Sequence, residues 1–272
     1  ADEVLSFGVE VKSFTFNQLI KESYIAEFEK LIDGEPDAVI ITPLFLNETK
    51  KFVKVLEEKN IPYLFLNIDI DGFNNISFIG QDSYQGGYLS GKLMHLSTGD
   101  NATYLIAQTK SKFQNNSVIE RRVIGFSTYF KDHKIPFRTI SLNFENLDEL
   151  EMVKNNLLEV FKEHKDIKGV LVPSSRIATI SKCIENKQLK KLRLIGFDTT
   201  EQNVTCLGRN EITFLISQKS FNQGFKSVKM MVDFLIQNSL PPLKVYSPIE
   251  IITKENLEFS QRNKWQYNSE NK

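Results

Sequence analysis

Polar side chains stand where several β-rich segments of this chain end. Five segments share the pattern: FIGQDSYQGG, TKSKFQNNSVIERRVIGF, VLVPSSR, LIGFD and ITFLISQ. The polar side chains at or just beyond these strand ends are Asp82, Asn116, Arg122, Ser174, Ser175, Asp198 and Gln218. Since α/β sheets bind ligands outside the carboxyl ends of their strands, this pattern predicts a small-molecule site.

The chain shows no spacing that is typical of a catalytic or metal-binding motif. The histidines His95, His133 and His164 are dispersed and form no H-x-x-x-H or H-E-x-x-H pair. No G-x-S-x-G segment occurs, and no local spacing of acidic residues marks a catalytic pair. We therefore predict no catalytic residue, no metal and no cofactor.

One glycine-rich segment superficially resembles a phosphate-binding loop. Gly86 to Lys92 reads GGYLSGK, but Leu93 stands where the G-x-x-x-x-G-K-[ST] motif requires a Mg²⁺-binding hydroxyl. Leu89, Leu93 and Leu96 are in helical phase, whereas a phosphate loop needs loop geometry at this point. The segment is therefore predicted to be a helix whose small residues allow close packing on a sheet.

The elements that must position the polar residues alternate regularly. The predicted strands are Val9–Phe16, Ala38–Thr42, Pro62–Asn67, Ile76–Ile79, Thr103–Ala107, Pro136–Leu142, Gly169–Val172, Leu192–Phe197, Ile212–Ile216 and Val245–Ile252. Helices are predicted to follow the cap residues Asn47, Ser83 and Asn146. Strand–helix alternation predicts parallel sheets with helices on both faces. Because these strands exceed a comfortable single open sheet, we expect two sheets in two lobes.

Composition excludes several classes of protein. The chain has 272 residues with 34 Lys+Arg and 34 Asp+Glu, and 41% of its residues are hydrophobic. This is ordinary globular composition, and zero net charge argues against a dedicated nucleic-acid domain. No apolar run reaches the about 18 residues of a membrane span. Cys183 and Cys206 suit a reducing compartment, so we predict a cytoplasmic location, although a removed signal peptide is also compatible.

The order of these segments resembles the effector-binding domain of lactose-repressor (LacI/GalR) family regulators, a domain shared with type I periplasmic sugar-binding proteins. The segments that carry the resemblance are FIGQDSYQGG, ERRVIGF, LVPSSRIATI, IGFDTTEQ, ITFLISQKSFNQGFKSVKMMVDFLI and PIEIITKENLEF. It covers roughly residues 1 to 259. Each segment alone is a weak signal, whereas their shared order is a strong one.

The resemblance implies two Rossmann-like lobes with parallel sheets, joined by a three-strand hinge, and a small ligand, usually a sugar. It implies lobes of residues 1–101 with 219–247 and of residues 102–218 with 248–259, followed by a polar tail, 260–272. It assigns ligand contact to Asp82, Asn116, Arg122, Ser174, Ser175, Asp198 and Gln218, with Phe45, Tyr84, Phe113 and Phe197 as aromatic candidates. Asp82 could also cap the following helix, and Arg121 is the alternative to Arg122.

The chemistry of a sugar fits this set of residues. Sugar hydroxyls point in fixed directions, carboxylates accept hydrogen bonds from them, and Arg and Asn donate in planar forks. Hydrogen bonds to charged groups contribute roughly 1.5–3 kcal/mol each. The set therefore suits a polyhydroxylated ligand.

The chain departs from the family pattern at its beginning. Family members start with a strand and a full first helix, whereas Ala1, Val4, Leu5 and Gly8 read as the end of that helix. About 30 residues, a strand-plus-helix unit, are missing, so we expect an upstream segment that completes the lobe. A regulator would also carry a helix-turn-helix further upstream, and these residues contain none.

Three functions were weighed. The leading one is the ligand-sensing domain of a bacterial LacI-like regulator that forms a homodimer and meets DNA only through that helix-turn-helix, without a membrane partner. The alternative is an extracytoplasmic sugar-binding protein of a transporter or membrane sensor. An α/β enzyme such as a sugar kinase would need a phosphate loop, and Leu93 argues against one.

Overall fold

The computed structural model describes residues 8–109, 115 and 117–262. The chain divides into two compact units. The first takes in the described residues up to Gln81, then Asn115 and Ser220–Ser247. The second takes in the described residues of 82–109, 117–219 and 248–262. No helix in this part of the chain is long and apolar enough to cross a membrane.

The first unit is a parallel sheet with helices. Its elements are α1 (Lys21–Asp33), β1 (Val39–Ile41), α2 (Leu46–Glu58), β2 (Tyr63–Leu66), β3 (Phe78–Gly80), α9 (Ser220–Gln237) and β9 (Lys244–Tyr246). The strand order is β1-β2-β3-β9, and all neighbours are parallel. Its core is built from residues such as Val39, Leu56 and Phe65, which are almost fully buried.

The second unit has a larger sheet. Its elements are α3 (Ser83–Thr98), β4 (Ala102–Thr109), α4 (Ser117–Asp132), β5 (Phe137–Phe144), α5 (Leu150–Glu163), β6 (Ile167–Val172), α6 (Ile177–Cys183), α7 (Asn186–Leu189), β7 (Arg193–Phe197), α8 (Glu201–Gly208), β8 (Phe214–Ser217), β10 (Glu250–Ile252) and α10 (Leu257–Arg262). The strand order is β10-β8-β7-β6-β4-β5, and only β10 is antiparallel to its neighbour. Because β5 and β6 flank β4, the chain order reverses between β4 and β6, which is where such sheets form ligand crevices.

The predicted α/β architecture with two sheets is confirmed. Two strand predictions are wrong. Residues 9–16 form no strand, and β1 is therefore left as an edge strand of the described sheet. The predicted strand Val245–Ile252 is two strands, β9 and β10, which belong to different sheets because the chain changes units after Ser247.

The predicted helix caps are also wrong in detail. Asn47 lies inside α2, and Ser83 is the first residue of α3, whose cap is Asp82. Asn146 accepts a hydrogen bond from the Asp148 N–H at 2.9 Å, so it closes a turn ahead of α5. Short polar side chains bond equally well to turns and to helix ends, which is why the sequence does not separate the two.

The glycines of GGYLSGK bring α3 against the neighbouring helix α4. A Cβ at Gly87 would lie 2.0 Å from the Arg122 carbonyl oxygen, and one at Gly91 would lie 2.8 Å from the Phe126 carbonyl oxygen. Gly125 of α4 has the reciprocal position, 2.1 Å from the Tyr84 carbonyl oxygen. The segment is a helix, as predicted, but its glycines fit a second helix and not the sheet.

This contact groups α3 with the second unit. The lobe boundaries inferred from the sequence placed residues 82–101 in the first lobe, so the structure differs from them at this helix. Elsewhere the two divisions nearly coincide, at residues 219 and 247. The lobe boundaries themselves stay a prediction.

Candidate ligand site of the second unit

Arg122 is the most unusual polar residue of the second unit. It lies in the second turn of α4, the helix that follows β4 in the chain, and only 2% of it is exposed. Its guanidinium carbon lies 3.7 Å from the centroid of the Phe197 ring, and its Nη1 donates to the Pro173 carbonyl at 2.8 Å. Its Nε and Nη2 are buried and have no hydrogen-bond partner among the described residues. A buried guanidinium with unsatisfied N–H groups costs free energy, which a bound acceptor would offset.

The charge of Arg122 is compensated by Asp198. Burial lowers the pKa of Arg122 to about 10, and the Asp198 carboxylate opposes that shift. Burial likewise raises the pKa of Asp198, while Arg122 and a hydrogen bond from Gln218 lower it. At neutral pH the guanidinium stays charged, and Asp198 is the acidic group that offsets the burial of that charge.

Asp198 is held in an uncommon backbone conformation. Its φ is +68°, in the left-handed region that Asp and Asn tolerate better than most side chains. Its N–H donates to the Ile216 carbonyl at 2.9 Å, and its Oδ1 accepts from Gln218 Nε2 at 2.7 Å. Backbone strain of this kind concentrates at functional sites, where the surrounding structure enforces it.

The loop after β6 brings Ser174 and Ser175 to the same edge of the sheet. The Ser174 carbonyl accepts from the Phe197 N–H at 3.4 Å, and its Oγ accepts from the Arg176 N–H at 3.4 Å. The Ser175 carbonyl accepts from Asn203 Nδ2 at 3.0 Å. Both serines are partly exposed, so their hydroxyls remain near the surface of the cluster.

The structure therefore gathers five of the predicted residues at the carboxyl ends of β6, β7 and β8. We call this group the Arg122 cluster; its members are Arg122, Ser174, Ser175, Asp198 and Gln218. Ligand contact by these residues stays a prediction, but their proximity is a property of the fold. The cluster offers the Nε and Nη2 donors of Arg122 together with carboxylate and hydroxyl acceptors, which suit a ligand with several hydroxyl groups. The Phe197 ring is 0% exposed and is covered by the Arg122 guanidinium, so it belongs to the core.

Asp82 performs the structural role that was named as its alternative. Its Oδ1 accepts from the Gln85 N–H at 3.0 Å, so it caps α3. A carboxylate at a cap keeps further acceptor capacity, so ligand contact is compatible with this role and stays a prediction.

The aromatic candidates have different surroundings. Tyr84 is partly buried on the first turn of α3. Phe45 is 2% exposed and packs on Tyr24, with ring centroids 5.4 Å apart, so it belongs to the core of the first unit. Asn116 and Phe113, the remaining predicted contacts, lie outside the described residues.

Two contributors were missed by sequence reasoning. Pro173 supplies the carbonyl that holds Arg122, and Asn203 binds the loops around Ser175 and Asp198. The residue type does not show where a backbone carbonyl will lie, and Asn203 stands outside the strand-end segments, in the stretch NVT. Its position three residues after the cap Thr200 was readable, but its burial was not. Among the described residues, no group of three His, Cys, Asp or Glu side chains could hold a metal ion.

Comparison with known proteins places this geometry in a family. The model of the periplasmic binding protein domain matches residues 3–239. A candidate LacI transcriptional regulator from Bacteroides fragilis is 27% identical, with a TM-score of 0.83, over 95% of this chain and 90% of its own. No curated protein sequence matches the chain.

Two further solved structures share the fold at lower identity. GanP, a glucose-galactose binding protein from Geobacillus stearothermophilus, is 21% identical, with a TM-score of 0.79, over 94% of this chain and 90% of its own. A periplasmic solute binding protein of an ABC transporter from Actinobacillus succinogenes, solved with D-allose, is 17% identical, with a TM-score of 0.79, over 95% and 91%.

The two largely parallel sheets and the matching domain model define the class as periplasmic-binding-protein-like, a class of binding and regulatory proteins and not of enzymes. The chain belongs to the periplasmic binding protein family, whose domain model matches most of its length.

Proposed function

We propose that this chain is the ligand-sensing domain of a LacI-like transcription regulator and that it binds a neutral sugar or sugar derivative through the Arg122 cluster. The observation that carries the proposal is the buried guanidinium of Arg122, two of whose N–H-bearing nitrogens have no partner. A sugar hydroxyl accepting from them would satisfy donors that the protein itself leaves unpaired. The compensating carboxylate of Asp198 favours a neutral ligand over an anionic one.

The regulator role is supported by likeness. The 27% identical structure is a candidate LacI regulator, and its match extends over nearly the whole of both chains. In this proposal the protein is a cytoplasmic homodimer, and a helix-turn-helix outside these residues contacts the operator. The ligand would act by lobe reorientation, which requires different affinities for the two lobe arrangements. Shifting such an equilibrium from 1:99 to 99:1 takes about 5.5 kcal/mol.

The alternative is an extracytoplasmic sugar-binding protein that serves a transporter or a membrane sensor. It is favoured by the solved relatives described as a glucose-galactose binding protein and as a transporter's solute binding protein. The two roles predict different upstream segments in the gene, a helix-turn-helix in one case and a secretory signal in the other. Reading the gene upstream of Ala1 therefore discriminates between them.

Calorimetry with a panel of neutral sugars tests the site. The panel includes D-glucose, D-galactose, D-arabinose and D-allose, and each is titrated into the wild-type chain, Arg122→Met and Arg121→Met. Arg121 is the matched control, since it is the exposed neighbour of the same residue type on the same helix. We expect Arg122→Met to weaken binding by about tenfold or more and Arg121→Met to bind like the wild type.

Equal affinity of the Arg122→Met variant and the wild type would refute the assignment of the site. A stronger response to sugar phosphates or sugar acids than to neutral sugars would refute the proposed ligand class.

A further inference from the structure

Asn203 is completely buried and makes hydrogen bonds to four backbone groups. It is 0% exposed and lies on the first turn of α8, where the Thr200 hydroxyl accepts from its N–H at 3.3 Å. Its Nδ2 donates to the carbonyls of Ser175, Phe197 and Asp198, at 3.0, 3.1 and 3.0 Å. Its Oδ1 accepts from the Ala178 N–H at 3.1 Å.

These bonds determine the orientation of the amide. With Nδ2 and Oδ1 exchanged, an oxygen would face three carbonyl oxygens and the Ala178 N–H would lose its acceptor. Only Asn and Gln combine a two-hydrogen donor with an acceptor in one planar group, so Asp, Ser or Ala cannot reproduce the set.

The bonds also connect two segments that are far apart in sequence. One segment contains Ser175 and the start of α6, whose own cap residue Arg176 makes no side-chain capping bond. Asn203 supplies that cap from another helix. The other segment is the end of β7, where Asp198 is held at φ +68°. A single side chain thus fixes the two loops that carry Ser174, Ser175 and Asp198 of the Arg122 cluster.

We infer that Asn203 is the positioning residue of the ligand site: it fixes the Ser174–Ser175 loop and the strained backbone of Asp198 in one arrangement before ligand arrives. The inference rests on the proposed function, and no ligand contact of Asn203 itself is required. A site that is fixed in advance binds more tightly because less ordering remains for the ligand to impose.

The test compares Asn203→Ala with Ser181→Ala in the complete chain. Ser181 is a matched control, since it is 1% exposed in the same unit and its hydroxyl donates to the Glu211 carbonyl at 3.4 Å. Hydrogen–deuterium exchange is measured without ligand, and affinity is measured by calorimetry with the neutral sugar that binds the wild type best.

For Asn203→Ala we expect exchange at residues 174–178 and 197–199 to rise about tenfold or more, without a comparable rise in β4 and β5, and affinity to fall about tenfold or more. Ser181→Ala should lose stability without either effect. If Asn203→Ala gives no folded protein, Asn203→Ser, which has a single shorter donor, is measured in the same way.

Wild-type exchange in both loops of the Asn203 variant would overturn the inference, and so would a rise spread evenly over the unit. Locally raised exchange with unchanged affinity would overturn it as well, because the loops would then need no prior fixing. A wild type that binds no sugar of the panel would instead refute the proposed function, and the exchange data would still decide whether Asn203 fixes the loops.

Discussion

At the scale of single residues, the Arg122 cluster combines two charges that each lower the free-energy cost of burying the other. Arg122 lies over Phe197 and keeps its charge although burial lowers its pKa, and Asp198 provides the opposite charge. Gln218 donates to Asp198, so the carboxylate has a partner on its other side. After these bonds, the hydrogen-bond donors that remain for a ligand are mainly those of the Arg122 guanidinium.

The raised pKa of Asp198 predicts a pH dependence of stability. Burial, the largest cause, raises it above the ordinary value of 3.8, so the folded protein holds this proton more tightly than the unfolded chain. The stability that this group contributes is therefore present at low pH and is lost as pH rises from 3.8 through the raised pKa. Asn tolerates the same φ, so Asp198→Asn removes the titration without adding backbone strain.

We expect the free energy of unfolding of Asp198→Asn, relative to the wild type, to increase as pH rises through that window. Denaturant titrations between pH 4 and pH 8, in steps of about one unit, measure this difference. The exposed Asp37 gives the control Asp37→Asn. A difference that stays constant or decreases with pH would contradict the prediction.

The Arg122–Asp198 pair predicts strong energetic coupling. Arg122→Met alone should cost about 1–3 kcal/mol at neutral pH, because Asp198 is left partly buried without its compensating cation. Arg122→Met combined with Asp198→Asn should recover much of that loss, since no isolated charge remains. A double-mutant cycle by guanidinium denaturation measures the coupling, and strict additivity would show that the pair does not interact.

At the scale of elements, the position of Arg122 depends on how closely α3 and α4 approach. Gly87 lies against the backbone of Arg122 itself, and Gly125 lies against the backbone of Tyr84. The two helices therefore pack through backbone contacts. Backbone cannot move aside as a flexible side chain can, so this contact tolerates little added volume.

Gly125→Ala tests this contact. Its Cβ would lie 2.1 Å from the Tyr84 carbonyl oxygen, so the two helices must separate, at a cost of about 1–3 kcal/mol. We expect a lower free energy of unfolding and weaker sugar binding together. Gly224→Ala is the control, since this helical glycine of α9 has no atom within 4 Å of the added Cβ. It should stabilise by about 0.5–1 kcal/mol; equal effects of the two changes would show that the contact is loose.

The sequence predicted elements better than it predicted contacts. Of the ten regions predicted as strands, nine contain a strand in the structure, because a buried parallel strand has a local apolar signature. Alternation could not show that Val245–Ile252 serves two sheets, since which sheet a strand joins depends on distant residues. The strand-end rule identified Arg122 and Asp198 as candidates. It did not identify Asn203, because nothing in the local sequence shows that this side chain turns back to the Phe197 and Asp198 carbonyls and also reaches the Ser175 carbonyl, 28 residues away.

At the scale of the whole molecule, a ligand that binds only the folded protein stabilises it by mass action. At 100 times its dissociation constant it adds about 2.7 kcal/mol, which corresponds to a rise in melting temperature of about 5–10 °C for a chain of this size. A thermal-shift screen with neutral sugars should show such a rise for the cognate ligand and a clearly smaller rise, about half or less, for Arg122→Met at the same ligand concentration. The same shift in the variant would place the binding elsewhere.

The regulator role predicts a homodimer. Light scattering after size exclusion should give twice the 31.3 kDa mass of the chain. A monomer over a wide range of protein concentration would instead favour the extracytoplasmic binding protein, for which no dimer is needed.

The left-handed backbone at Asp198 also limits how this protein can evolve. Single base changes in an Asp codon lead to Asn, Gly, Ala, Val, Glu, His or Tyr, and among these Asn and Gly adopt a φ of +68° most readily. Gly would remove the carboxylate and with it the hydrogen bond that Gln218 donates to it, whereas Asn would keep the shape and lose the charge. A change of ligand specificity at this position is therefore least disruptive when it proceeds through Asn. Because the charge of Arg122 would then be unbalanced, the Asn variant would favour anionic ligands.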